Sequence, residues 1–100
     1  MNLTMKFINS NLNLNLSKTE VTAGRDNYVL SIEGLNNVPV RIVYTVNDGP
    51  LQAFTALLDA GGKVTFDVSG STSKGSYRFL AFSIAGRNEW IKTDEALTVH

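Results

Sequence analysis

Apolar and polar residues alternate along most of this chain, with the period of two that is typical of β-strands buried on one face. The clearest example is residues 11–16, where Leu12, Leu14 and Leu16 share one face and asparagines share the other. Residues 17–24 predict a bend in which Val21 points inward. Further runs end at turn residues and predict strands at 27–33, 38–47, 51–58, 63–69, 75–84 and 90–99.

Residues 51–58 are the most ambiguous segment, because they are apolar on several sides and also fit a short helix. Phe54 and Thr55 are residue types that favour a strand. No N-cap residue directly precedes the segment, as a helix would prefer. We therefore predict a strand here.

These elements predict an all-β fold, an antiparallel β-sandwich of seven to eight strands with turn signals roughly every ten residues. A small closed barrel is the main alternative. The chain has 100 residues, the size of one domain. We place that domain at residues 11–100 and expect residues 1–10 to be a leader or an extra edge strand. The predicted core consists of Leu14, Leu30, Ile32, Ile42, Tyr44, Phe66, Tyr77, Phe79 and Val99.

The start of the central strand resembles the tyrosine corner of immunoglobulin-like domains. In that motif a Tyr opens strand F two residues before the second cysteine, as Tyr77 stands two residues before Phe79 here. Leu30 or Ile32 would oppose Phe79 from strand B, so that an apolar pair fills the place of the disulfide. Tyr44 stands where strand C often has Trp. These departures argue against an antibody-type domain.

A closer likeness is to the immunoglobulin-like (fibronectin III-like) modules of bacterial surface and secreted proteins. It is carried by residues 21–24 (VTAG), 58–66 (LDAGGKVTF), 75–77 (GSY) and 97–99 (LTV), and it covers about residues 12–99. The resemblance implies a non-catalytic spacer, adhesion or protein-interaction domain beside neighbouring domains of a larger protein. It also implies an extracellular or cell-surface location. Any signal peptide is expected to lie outside this sequence, since residues 1–8 lack a long apolar region.

Composition removes several other classes of function. Nine basic residues balance nine acidic ones, and no basic run is present, so we expect neither nucleic acid nor membrane insertion. The chain has no cysteine, which excludes disulfides and thiolate chemistry. Its acids are scattered, and no carboxylate pair, calcium loop or histidine-activated serine is evident. We therefore predict no enzyme activity, no cofactor and no metal site.

The outer face of the central strand is the first candidate binding surface. If Tyr77, Phe79 and Ala81 point inward, then Leu80 and Phe82 point outward, where they would join Ile84 and Val43. An exposed apolar patch of this kind often marks binding or self-association. Two alternatives are favoured over it: residues 51–58 or the N-terminal segment cover the face, or a bulge swaps the faces. We expect a monomer or weak dimer.

The second candidate is the turn that contains Trp90, Arg87 and Asn88. An exposed Trp90 would stack on a sugar, with Arg87 and Asn88 as polar partners, and would make this a carbohydrate-binding module for a cell-surface glycan. We expect instead that Trp90 is buried and caps the end of the sandwich core. A phage structural protein domain built on the same sandwich is a further alternative.

Overall fold

The computed structural model describes residues 5–100, and in that part of the chain it contains nine β-strands and no helix. The strands are β1 (Lys6–Phe7), β2 (Leu14–Leu16), β3 (Glu20–Val21), β4 (Asn27–Ile32), β5 (Pro39–Val46), β6 (Gln52–Leu57), β7 (Lys63–Asp67), β8 (Gly75–Ile84) and β9 (Glu89–Val99).

The strands form two sheets. The larger sheet has six strands in the order β1-β9-β8-β5-β6, and β3 also pairs with β9. The smaller sheet has the order β2-β4-β7. The pairs β5–β6, β5–β8, β8–β9, β2–β4 and β4–β7 are antiparallel, whereas β1 and β3 run parallel to opposite ends of β9. The chain therefore passes from the small sheet to the large sheet between β2 and β3.

The predicted all-β fold is confirmed, and residues 51–58 do contain a strand, Gln52–Leu57. The described part of the chain has more strands than the expected seven to eight, because it contains two additional strands of two residues each. One of these lies within the predicted bend, where Val21 is buried as expected. The other, Lys6–Phe7, lies within residues 1–10, of which residues 1–4 are outside the described part.

One apolar core fills the space between the two sheets. Six of the nine predicted core residues are buried there, and Tyr44, Phe66 and Tyr77 are half-buried and pack against it. The aromatic rings of Tyr44, Phe54, Phe66 and Phe79 meet at centroid distances of 5.5 to 6.3 Å. The buried members of this cluster are Leu14, Val21, Leu30, Ile32, Val40, Ile42, Ala56, Leu58, Val68, Phe79, Phe82, Ile91, Leu97 and Val99.

A bulge in β8 corrects the predicted facing of the central strand. Val43 pairs with Ala81 and the next residue, Tyr44, pairs with Phe79, so Leu80 is an extra residue in the ladder. The register between β8 and β9 shifts at the same place. A bulge changes the parity of a strand. Phe79 and Phe82 therefore both point into the core, and Ala81 points outward.

The predicted outward position of Phe82 is thus wrong, since its side chain is fully buried in the main core. Leu80 remains on the outer side and is half-buried. The face swap that the sequence analysis held open is the arrangement that the structure has.

The β5–β6 hairpin is tied to the start of β8. Asn47 and Asp48 both have positive φ, at 51° and 58°, and Gly49 N donates to Val46 O. These angles define a type I′ turn, the favoured hairpin connection. Asn47 Oδ1 accepts a hydrogen bond of 2.9 Å from Ser76 N. Gly75 has a φ of 137°, and a Cβ there would overlap the Asn47 side chain, so this approach requires glycine.

Tyr77 closes the turn that precedes the central strand. Its hydroxyl donates a hydrogen bond of 2.6 Å to the carbonyl oxygen of Ser73, four residues upstream. Burial raises the pKa of the Tyr77 phenol above its usual value. The ring packs against Tyr44 at a centroid distance of 6.3 Å. Tyr77 therefore connects the turn to the core with one side chain.

The face swap predicts that truncating Phe82 lowers the free energy of unfolding more than truncating Leu80 does. Phe82→Ala removes a fully buried ring and is expected to lower the free energy of unfolding by about 3–5 kcal/mol. Leu80→Ala removes a half-buried side chain and is expected to cost about 1–2 kcal/mol. Urea denaturation of both variants measures the difference. Equal costs would contradict the bulge.

The Tyr77 hydrogen bond predicts that two Tyr→Phe substitutions differ in their effect on stability. Tyr77→Phe leaves a turn carbonyl without its donor and is expected to cost about 1 kcal/mol of unfolding free energy. Tyr44→Phe is the matched control, because its hydroxyl donates only to the exposed side chain of Gln52, at 3.2 Å. We expect that control to stay within about 0.5 kcal/mol of the parent chain. If Tyr44→Phe lowered the free energy of unfolding as much as Tyr77→Phe does, the hydrogen bond from Tyr77 to Ser73 would have no particular importance for stability.

Candidate functional site

A second, smaller apolar cluster lies on the outer face of the large sheet, on the side away from the core. Val43 of β5, Ala81 of β8 and Trp90 of β9 form it, and Met5 packs against them from outside. The three buried residues come from adjacent strands, since β5 neighbours β8 and β8 neighbours β9. The bulge at Leu80 is what turns Ala81 to this side.

Two cavities adjoin on this face and share Met5, Val43 and Leu51, so together they form one groove, here called the outer groove. Their volumes are about 530 and 430 Å³. The first is lined by Met5, Arg41, Val43, Leu51, Gln52, Ala53, Gly86, Arg87, Asn88 and Trp90. The second is lined by Met5, Phe7, Val43, Leu51, Arg78, Leu80, Ala81, Lys92, Thr93 and Asp94.

Trp90 forms part of the floor of the outer groove, and its ring is covered. Only 5% of the residue is exposed. The Arg41 guanidinium lies 5.6 Å from the ring centroid, within the range of a cation–π contact. The indole Nε1 donates a hydrogen bond of 3.0 Å to Asn88 Oδ1. The predicted burial of Trp90 is confirmed, but its predicted place at the end of the core is wrong, because the ring lies on the opposite face of the sheet.

The rim of the outer groove is basic. Arg41 and Arg87 line the first cavity, Lys92 and Arg78 line the second, and Asp94 is the one acid among the described lining residues. Asp94 is engaged by Arg78, with Nη2 to Oδ1 at 2.7 Å. That hydrogen bond raises the pKa of the Arg78 guanidinium.

The chain as a whole is neutral, so this excess of positive charge is local to the outer groove. Lys92 is further held with its Nζ 5.1 Å from the centroid of the Phe7 ring, which fixes one cation against an apolar side chain. The outer groove thus offers apolar contact at its floor and positive charge at its rim.

The structure brings most of the predicted site residues together. Val43, Trp90, Arg87 and Asn88 line one cavity, and Leu80 lines the next. Phe82 is separated from them by the sheet itself. Their role in binding remains a prediction.

Several residues of the outer groove escaped the sequence analysis: Met5, Arg41, Leu51, Arg78 and Lys92. Arg41 carried a usable signal, since it lies two residues before Val43 on the same strand and therefore shares its face. Met5 and Leu51 lie outside the strands, and no periodicity could place them.

Searches for other chemistry across residues 5–100 give negative findings. No group of three or more His, Asp or Glu side chains comes together in a way that would hold a metal ion. No helix in this range is long and apolar enough to cross a membrane.

Comparison with known proteins assigns no family. No protein-family model matches the chain, and the search of curated proteins found no match.

The covered ring makes Trp90 a reporter of the outer groove. We expect its fluorescence to be blue-shifted relative to the urea-unfolded chain and to be quenched weakly by acrylamide, because the residue is 5% exposed. Arg41→Ala should increase the quenching constant, since it removes the guanidinium over the ring. Arg87→Ala removes the same charge from the same cavity and is the control. Equal quenching in both variants would contradict the stacking of Arg41.

Proposed function

We propose that this chain is an immunoglobulin-like module of a bacterial surface or secreted protein, and that it acts as a non-catalytic spacer and protein-interaction domain. The strand order supports the fold. The small sheet pairs β4 with β7 as strands B and E pair, and the large sheet carries β5, β8 and β9 in the order of strands C, F and G. β6 adjoins β5 as the additional strand C′ does in variable-type domains.

The hydrogen bond from Tyr77 to Ser73 supports the same assignment. A tyrosine corner is defined by a Tyr near the start of strand F whose hydroxyl bonds to the backbone a few residues upstream. Tyr77 is the third residue of β8, and its acceptor lies four residues before it.

The path of β9 supports the spacer role. Lys6 lies beside Glu89 at one end of this strand, and Val99 is the residue at its other end. Ten residues of extended chain span about 33 Å, which is close to the longest dimension of the molecule, 36 Å. The described chain thus starts and ends at opposite ends of the sandwich, as suits a module joined in series to others.

The outer groove is the observation that carries the interaction role. An apolar groove on a sheet face marks a binding surface more often than an inert one. The basic rim selects the occupant by charge complementarity. We therefore assign the outer groove to a partner protein segment that combines apolar side chains with carboxylates.

The carbohydrate-binding alternative loses its main support. Sugar recognition of the kind predicted needs an open aromatic face, but the Trp90 ring is 5% exposed and is covered by Arg41. The indole N–H is also engaged, by Asn88.

Selection from a random peptide display library on the immobilised chain tests this proposal. We expect enriched peptides to carry apolar residues together with a net negative charge. Leu51→Asp should weaken their binding at least about tenfold, because it places a like charge at an apolar site that both cavities share.

Leu57→Asp is the matched control, since Leu51 and Leu57 are 64% and 68% exposed and only Leu51 lines the outer groove. Binding that survives Leu51→Asp, or falls equally in both variants, would place the contact elsewhere. Enriched peptides without an acidic excess would remove the charge argument.

A further inference from the structure

β6 is the outermost strand of the large sheet, and among residues 5–100 no strand pairs with its free edge. Leu58 N donates to Val38 O, which makes these two residues a hydrogen-bonded pair. Such pairs alternate along an antiparallel ladder. Ala56, Phe54 and Gln52 therefore bond to β5, whereas the N–H and C=O groups of Ala53, Thr55 and Leu57 point away from the sheet.

This edge differs from the other edges in the described part of the chain. Natural sheets protect their edges with charged side chains, proline, bulges or very short strands. β1 carries Lys6, β3 carries Glu20, and β7 begins at Lys63 and ends at Asp67. β2 is only three residues long. β6 has six residues, QAFTAL, with neither charge nor proline.

We propose that β6 is a self-association edge, at which a second copy of this chain adds its own β6 in antiparallel orientation. The outward groups of residues 53, 55 and 57 fix the register, because a two-fold axis must place Thr55 opposite Thr55 and Ala53 opposite Leu57. The two six-stranded sheets then become one continuous sheet across the two copies.

The side chains suit this register on both faces. On the outer face, two Thr side chains meet, which is a favourable cross-strand pair. Leu57, 68% exposed in the single copy, lies against the small Ala53 of the other copy. On the inner face, the half-buried Phe54 lies opposite Ala56 and gains cover. No charged side chain of β6 opposes another, and the net charge of zero gives no long-range repulsion between copies.

The association is expected to be weak and concentration-dependent. One short strand pair buries less than the roughly 1,200 Å² at which specific interfaces become stable. The second copy lies in line with the sheet and meets the outer groove only at its β6 side, where Ala53 lines the first cavity. The inference does not rest on the proposed partner for that groove, because it is argued from the edge of β6 alone.

Sedimentation over a wide concentration range is the first test. The parent chain should shift from the monomer mass toward twice that mass as concentration rises. Thr55→Pro removes an N–H that points away from β5 and should lower the association constant at least about tenfold. Thr65→Pro is the matched control, since Thr65 pairs with Val29 at a non-bonded position on the free edge of β7. Circular dichroism verifies the fold of each variant.

Cross-linking tests the register itself, because the chain has no cysteine of its own. In Thr55→Cys the two Cα atoms would be about 5.5 Å apart, within the range of a disulfide. In Ala53→Cys they would be about 14 Å apart, given the rise of about 3.4 Å per residue. We expect the first variant to form covalent dimers at least about tenfold faster than the second under the same mild oxidation.

Three results would overturn the inference. The parent chain would sediment as a monomer at every concentration, or Thr55→Pro and Thr65→Pro would weaken association equally, or the two cysteine variants would cross-link at equal rates. Leu57→Lys gives an independent check if Thr55→Pro fails to fold, because this exposed position tolerates a charge in the single copy. In the proposed register residue 57 lies opposite Ala53, so no like charges meet across the interface. The variant should therefore weaken the dimer only through the lost apolar contact of Leu57.

Discussion

The extra residue at Leu80 determines how this sandwich uses its central strand. β8 is ten residues long and lies between β5 and β9. Without a bulge, strict alternation would place Phe79 and Phe82 on opposite faces. The inserted residue places both rings in the core, where they join Tyr77 of the same strand. The outer face receives Ala81 instead of a large ring, and this small side chain leaves room for the outer groove.

The matching irregularity in β9 shows that the two strands are adjusted to each other. The ladder passes from the pair Phe79–Glu95 to the pair Ala81–Lys92, so Leu80 of β8 stands opposite two residues of β9, Thr93 and Asp94. Bulges increase local twist and re-aim side chains. β9 keeps its alternation through this region, with Ile91 and Leu97 in the core and Trp90 on the outer face. Lys92 and Asp94 therefore lie on the outer face, where they contact Phe7 and Arg78. The bulge in β8 thus places Ala81 in the apolar floor, and the alternation of β9 places part of the rim.

Sequence alone was sufficient for the parts of the fold that depend on local periodicity. The alternation of residues 27–33 placed Leu30 and Ile32 in the core, and the Asn47-Asp48-Gly49 run predicted its turn, because both signals are carried by neighbouring residues. The facing of Phe82 was missed, since a bulge depends on how two partner strands align and no single segment encodes it. The outer position of Trp90, in contrast, follows from local alternation, because an odd spacing separates it from the predicted core residue Val99 on the same strand.

The candidate site was predictable only in part, for a related reason. Val43 and Leu80 were predicted from the apolar outer face of the central strand and Trp90 from the neighbouring turn, whereas the basic rim comes from four residues on three strands and one turn. A chain with nine basic and nine acidic residues shows no excess charge in its composition. The local excess exists only after folding gathers Arg41, Arg78, Arg87 and Lys92 on one sheet face.

The two proposed contact surfaces would reinforce each other if both are used. Pairing through β6 would leave two outer grooves on the same face of one continuous sheet, related by the two-fold axis beside Thr55. A partner with two acidic, apolar segments could then bind both grooves, and the second binding step would become intramolecular. Effective concentration within such a pair reaches the millimolar range for short flexible connections. A weak edge contact would therefore be strengthened by partner binding, because each event favours the same paired state.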